Sequence, residues 1–120
     1  MEKNIIVYAY LGDAVYELYI RNKQIEKSYE LVDVLQKNKL KYVTAKAQSN
    51  ILKNLIDNNM LTEEELNIVK RARNYKRSTH PKNTDIMTYK LATGFEALLG
   101  YLYYHKKNER LNEILESIEV

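Results

Sequence analysis

The sequence predicts an all-α fold, and three observations carry that reading. Apolar residues recur at three- and four-residue steps over long stretches, the spacing that lines one face of a helix. The chain has three Gly and one Pro in 120 residues, little punctuation for β-turns. No stretch alternates apolar and polar residues as a half-buried strand does.

The elements follow in order. Ile5, Tyr8, Leu11, Val15, Leu18 and Tyr19 predict a helix from Ile5 to about Arg21. A short helix is expected from Ser28 to Lys37, with Leu31, Val34 and Leu35 inward. A third is expected from Lys41 to Asp57, with Val43, Ala47, Ile51, Leu52, Leu55 and Ile56 on its apolar face and Asn58-Asn59 closing it. Thr62 followed by Glu65 reads as a capping box, opening a helix with Leu66 and Val69 inward. Lys70, Arg71 and Arg73 fall near its C-terminus, where the helix dipole favours cations. The run from Ser78 to Thr84 reads as a loop, because Pro81 disfavours helix at His80. A long helix from about Asp85 to His105 follows, then a short one from Glu109 carrying Leu111, Ile114, Leu115 and Ile118.

At 120 residues the chain has the size of one domain, residues 1–120. A folded chain of this length hides roughly 65% of its extended surface, enough for a genuine core. Without cysteine it has no disulfide framework and no thiolate metal site, which fits a reducing cytoplasm. Charges at Glu2, Lys3 and Asp13 break the first apolar stretch, so it reads as neither a signal peptide nor a membrane span.

The net charge of +3 conceals a strong asymmetry. Residues 70–82 hold six Lys/Arg and no acid, whereas the segments on either side are slightly acidic. A basic patch concentrated in one segment suggests a polyanionic partner. A solvated helix end is the competing account.

Two carboxylates are set in apolar helices beside glycine: Asp13 in Leu11-Gly12-Asp13-Ala14-Val15, and Glu96 between Gly94 and Gly100. Glycine inside a helix costs on the order of 1 kcal/mol against Ala and usually has a packing reason. Helices that approach closely at glycines would bring the two acids together. A buried, unpaired carboxylate is expensive, and a metal ion is one of the few partners that offsets the cost. Pairing with one of the basic side chains is the alternative.

The segments Tyr10-Leu11-Gly12-Asp13-Ala14-Val15-Tyr16-Glu17 and Phe95-Glu96-Ala97-Leu98-Leu99-Gly100-Tyr101-Leu102-Tyr103 resemble the two signature helices of the ribonuclease III catalytic domain. With Lys70-Arg71, Arg73-Asn74 and Pro81-Lys82-Asn83-Thr84-Asp85 between them, the chain is more closely similar to the Mini-III ribonucleases. Those enzymes are the catalytic domain without a double-stranded RNA-binding domain. The resemblance runs from Tyr8 to about Leu115. It implies an all-α ribonuclease III-type helical bundle forming a homodimer, with double-stranded RNA rather than a small molecule as substrate. It also implies Mg²⁺ as cofactor, 5′-phosphate products and a task in maturing the ends of large-subunit ribosomal RNA precursor. Asp13 matches the signature aspartate and Glu96 the essential glutamate, both implied metal ligands and catalytic residues.

Two other family acids are absent. Ala9 stands where the full-length enzymes carry a glutamate, and Thr93 where they carry an aspartate. Glu17 and Asp85 are candidates to assist, with structural roles as the alternative. A metal route needs neither of the two histidines, His80 and His105.

A-form RNA is read mainly through shape, phosphates and 2′-hydroxyls. Arg73, Asn74, Lys76, Arg77, Lys82 and Asn83 supply donors of that kind and form the expected RNA-binding set. Lys39, Lys41 and Lys46 either add to it or form a solvated face. Tyr101, Tyr103 and Tyr104 lie almost all round one helix, which points to burial from more than one side, in a core or at a subunit interface. The rival to an enzyme is a non-catalytic RNA-binding or ribosome-associated module of the same fold, favoured by Ala9 and Thr93. A helical protein adaptor would explain the tyrosines but not the basic segment.

Overall fold

The computed structural model of the chain describes residues 2–76 and 85–120. Six helices and no strand are found among them. The first, α1 (Ile5–Lys27), starts at Asn4, whose side-chain oxygen accepts the Ile6 N–H at 3.0 Å. It runs past the expected end at Arg21, because the polar residues that follow include no Gly or Pro and continue the helix. Ser28 then leaves the helix in extended backbone, and its hydroxyl accepts the Glu30 N–H at 3.0 Å. That local bond competes with helix and delays the next element.

So α2 (Val32–Val43) begins later than expected and reaches further. None of its residues is buried, and Leu31, expected inward, is 75% exposed. Periodicity finds a helical face, but it does not show whether another element covers that face.

The helix expected from Lys41 to Asp57 is in fact broken at Thr44, so Val43 belongs to α2. The Thr44 hydroxyl accepts the Ala47 N–H at 3.2 Å and caps α3 (Ala45–Asp57). Asn58 caps the far end, and Asn59 takes a positive φ of 53°.

The capping box of α4 (Glu63–Arg73) forms as its sequence dictates: Thr62 Oγ1 accepts the Glu65 N–H, and Glu65 Oε1 accepts the Thr62 N–H. The buried face of α4 is turned from the expected one. Leu66 is exposed, and Glu65, Ile68, Val69 and Ala72 point inward. Glu65 is only 4% exposed and tolerates burial because Arg110 donates to both its oxygens, at 2.7 and 2.8 Å. Burial pushes the Glu65 carboxyl up, but the bonds from Arg110 and from the Thr62 backbone, with the Arg110 charge, hold it below its ordinary value.

The centre of the fold is α5 (Ile86–Tyr104), which packs against α1, α3, α4 and the closing helix α6 (Asn108–Glu116). Buried residues run along α5 from Leu91 to Leu102. Phe95 meets Tyr16 of α1 edge-on with ring centroids 5.2 Å apart, and Leu52, Leu98 and Ile114 fill the space around them. Each such apolar side chain contributes roughly 1.5–3 kcal/mol on burial. The Tyr16 hydroxyl donates to the Tyr42 carbonyl at 2.8 Å, tying α1 to α2. Among the described residues, no helix is long and apolar enough to cross a membrane.

Candidate active site

The two acid-bearing helices meet at their glycines. A β-carbon on Gly12 would fall 1.7 Å from the Glu96 carbonyl oxygen, and one on Gly100 would fall 1.8 Å from the Tyr8 carbonyl oxygen. No side chain fits at either position, so α1 and α5 cross with backbone against backbone. Gly94, the other glycine near Glu96, instead faces Val69 and Leu52. The crossing therefore depends on Gly12 and Gly100, one from each helix.

Rings clamp the crossing on one side. The Tyr8 hydroxyl accepts the Lys3 amide at 2.8 Å and pairs with His105 Nε2 at 2.8 Å. Tyr101 and His105 pack with centroids 4.5 Å apart and their planes tilted by 52°, and Tyr104 meets His105 edge-on at 5.2 Å. Composition alone gives no reason to group these residues with Tyr8. The spacing of Tyr101 and His105, one turn apart at the end of α5, is the signal that does. Tyr101 thus packs within the chain, while Tyr103 stays exposed.

At the crossing, Asp13 is exposed on α1 and Glu96 is half-buried on α5. Among the described residues Asp13 has no ion-pair partner, which sets it apart from its neighbour Glu17. Glu17 pairs with Lys39 and Arg21, and these hydrogen bonds, the Lys39 bond above all, hold its carboxyl below the ordinary value. Glu17 is thereby engaged in ion pairs, and the Asp85 side chain accepts the Thr88 N–H as the N-cap of α5. Lys39 is committed to Glu17 in the same way.

The positions of the missing family acids are filled by other chemistry. Ala9 is buried with Ile68, Ala72 and Ala97. Thr93 is buried as well, and its hydroxyl donates to the Tyr89 carbonyl at 2.9 Å. Among the described residues, no group of three or more His, Cys, Asp or Glu side chains is placed to hold a metal ion. The two helices that cross carry one carboxylate each beside the contact, Asp13 and Glu96. That suits a hard cation such as Mg²⁺, which is commonly bound by one or two carboxylates while water and substrate phosphate oxygens complete its shell.

Of the expected RNA-binding residues, Arg73 ends α4, half-exposed, and Asn74 caps it; Arg73 Nε lies 3.4 Å from Asn74 Oδ1. Lys76 follows, exposed. Arg77, Lys82 and Asn83, like His80, lie outside the described residues. Arg71 is engaged by Glu2.

The Ribonuclease III domain family matches residues 7–107, a span that holds both acid-bearing helices. A Mini-ribonuclease 3 of Thermoanaerobacter sp. (strain X514) is 50% identical over 116 residues, 96% of this chain and 80% of that protein. A Mini-ribonuclease 3 of Enterococcus faecalis (strain ATCC 700802 / V583) is 44% identical over 112 residues, 93% of this chain and 85% of that protein. A crystal structure of a Fusobacterium nucleatum protein, 39% identical, matches with a TM-score of 0.84 over 96% of this chain and 90% of its own. On these matches and this all-helical architecture, the chain belongs to the ribonuclease III family of endoribonucleases.

Proposed function

We propose that residues 1–120 form one catalytic domain that cuts double-stranded RNA in a Mg²⁺-dependent reaction and works as a cytoplasmic homodimer. Its proposed substrate is a stem in the large-subunit ribosomal RNA precursor, a reading supported by similarity to the Mini-III enzymes. The observation that carries the proposal is the glycine-to-glycine crossing, which sets Asp13, exposed and without an ion-pair partner among the described residues, beside the Glu96 segment.

In this reading Asp13 and Glu96 are the catalytic residues and the Mg²⁺ ligands. A divalent cation held there stabilises charge on the phosphate and lowers the pKa of water. The protein supplies position. The backbone contact at Gly12 fixes the separation of the two helices, and the ring cluster at Tyr8 and His105 fixes their angle. Arg73, Asn74, Lys76, Arg77, Lys82 and Asn83 hold the RNA through its phosphates and 2′-hydroxyls.

Dimerisation is supported by an apolar groove of about 300 Å³ on the outer side of α1, lined by Leu11, Val15, Leu18, Tyr19 and Tyr103 among others. Leu18 is 61% exposed there and Tyr103 52%. Two such faces joined by a two-fold axis would cover them and give one centre for each strand.

The test is a long RNA duplex and a precursor stem, each incubated with the protein in Mg²⁺ and in EDTA. Cleavage on both strands with 5′-phosphate ends in Mg²⁺ alone is expected. A purified, folded protein that binds the duplex but leaves it intact in Mg²⁺ would favour the second reading, a non-catalytic duplex-binding module. That reading draws on the buried Ala9 and the backbone-bonded Thr93.

A further inference from the structure

A polar cavity of about 420 Å³ opens at the start of α3, away from the crossing. Thr44, Lys46, Ser49, Asn50 and Lys53 line it from α3, and Asp85 lines it from the start of α5. Thr88 of α5 lies about eight residues before Glu96, or roughly 12 Å along the axis at 1.5 Å per residue.

Three features of this cavity favour an anion. The first is the N-terminus of α3, a helix of 13 residues. Its Ala47 amide is taken by the Thr44 hydroxyl, which leaves the Ala45 and Lys46 amides as the first-turn donors. The second is the pair Lys46 and Lys53, neither of which forms an ion pair among the described residues. The third is Ser49, only 2% exposed, whose hydroxyl has no hydrogen-bond partner among the described residues. Buried hydroxyls are nearly always satisfied, so one left open on the wall of a polar cavity marks a missing partner. Asp85 is the single opposing charge, and its carboxylate is already engaged by the Thr88 amide and hydroxyl at 3.2 and 3.3 Å.

We infer that this cavity is a phosphate-binding subsite, gripping a backbone phosphate of the RNA duplex some distance from the point of cleavage. The inference rests on the duplex-RNA reading above. Its grip is positional: Lys46 and Lys53 supply charge, the helix start supplies amide donors, and Ser49 supplies a hydroxyl.

The test uses two probes on the parent, on Lys46→Gln/Lys53→Gln and on Ser49→Ala. One probe is inorganic phosphate, read as a melting-temperature shift against chloride at matched ionic strength. The other is an RNA duplex in EDTA, read as Kd against salt, with cleavage in Mg²⁺ run in parallel. Phosphate should raise the melting temperature of the parent and not of the lysine double variant. The double variant should bind the duplex several-fold more weakly, with a log–log salt slope shallower by up to about two, one per lysine, if the duplex-DNA rule carries over. In Mg²⁺ its KM should rise more than its kcat falls. Ser49→Ala should melt no lower than the parent without phosphate, because it removes an unsatisfied hydroxyl, yet gain less from phosphate.

If phosphate protects the parent through these lysines but the protein binds no duplex, the subsite stands for small phosphorylated ligands and the duplex reading falls. If the parent binds and cuts duplex while both variants match it in every arm, the subsite is refuted and the function stands. A weaker lysine variant beside a Ser49→Ala that matches the parent throughout also refutes it, since the lysines are then only a charged face.

Discussion

Gly12 and Gly100 face each other where α1 crosses α5, the β-carbon position of each falling 2.9 Å from the amide nitrogen of the other. Both positions also lie within 1.8 Å of a carbonyl oxygen, so the obstacle is backbone and no side chain can move aside. Gly12→Ala or Gly100→Ala should therefore force the helices apart. Overpacking costs about 1–3 kcal/mol, and the upper end is expected here, against the roughly 1 kcal/mol that Ala gains over Gly within a helix. Cleavage should fall further than the stability loss explains, because Asp13 and the Glu96 segment separate. Gly94→Ala, which meets Val69 at 3.1 Å, should be milder. Melting curves beside duplex cleavage check this, and a Gly12→Ala protein as active and stable as the parent contradicts it.

The Glu65–Arg110 pair predicts how the fold responds to acid. The folded-state pKa of Glu65 lies below its unfolded value, so the stability it contributes is present above the unfolded pKa, near 4.3. That contribution is lost as pH falls through the lower folded pKa. Glu65→Gln should destabilise the protein at neutral pH by about 1.5–3 kcal/mol, the range for hydrogen bonds to charged groups. It falls short of a fully buried pair because Arg110 reaches partly into solvent. The deficit should shrink as pH drops below about 4, which denaturant titrations across pH would show.

For the basic segment the expectation concerns affinity. Neutralising Arg73, Lys76, Arg77 and Lys82 together should weaken duplex binding across sequences and flatten its salt dependence, by roughly one unit of slope for each phosphate no longer neutralised. Binding isotherms from low to high salt measure both. A quadruple variant that binds as tightly as the parent at every salt concentration places the RNA elsewhere.

How far the sequence reaches is visible in these same residues. Thr62 and Glu65 reveal their capping box because both partners are local; Thr44 caps α3 just as locally, but the apolar periodicity runs through it and hides the break. Gly12 and Gly100 hint at close packing, but only the structure shows that they face each other. Sequence patterns mislead where a long-range partner decides. Glu65 turns inward because Arg110, 45 residues away, satisfies it, and that rotates Leu66 into solvent. Leu31 looks inward-facing yet is exposed, and α2 reaches the core only through Tyr42 and Val43 at its end, since no pattern within a helix reports how far a neighbour covers it. The Ser49 hydroxyl, unpaired among the described residues, leaves no trace in the sequence, because burial and the lack of a partner are properties of the packed chain.

Apolar exposure on α1 sets the assembly test. Leu18→Lys places a charge on the groove lined by Val15 and Tyr103 without touching the core, since Leu18 is already solvent-facing. Light scattering at tens of micromolar should give a dimer for the parent and a monomer for the variant, with little change in far-UV circular dichroism. A parent that is monomeric at that concentration and still cuts both strands overturns the two-fold arrangement.

The sharpest separation between a catalytic and a structural Asp13 comes from substitutions that keep shape and remove charge. Asp13→Asn and Glu96→Gln should each abolish duplex cleavage while leaving the fold and RNA binding in EDTA unchanged. Asp13 is exposed and has no ion-pair partner among the described residues, so Asn at that position strands no cation. Its metal-free melting temperature should equal that of the parent or exceed it, because two carboxylates that share a cation site would repel one another when no cation lies between them. Adding Mg²⁺ should raise the melting temperature of the parent by mass action and that of Asp13→Asn much less. Had Asp13 been half of a buried ion pair, the metal-free protein would instead lose about 3–5 kcal/mol. Melts of the parent and both variants, with and without Mg²⁺, separate the two accounts. A large metal-free loss in Asp13→Asn, with cleavage retained, removes it from the active site.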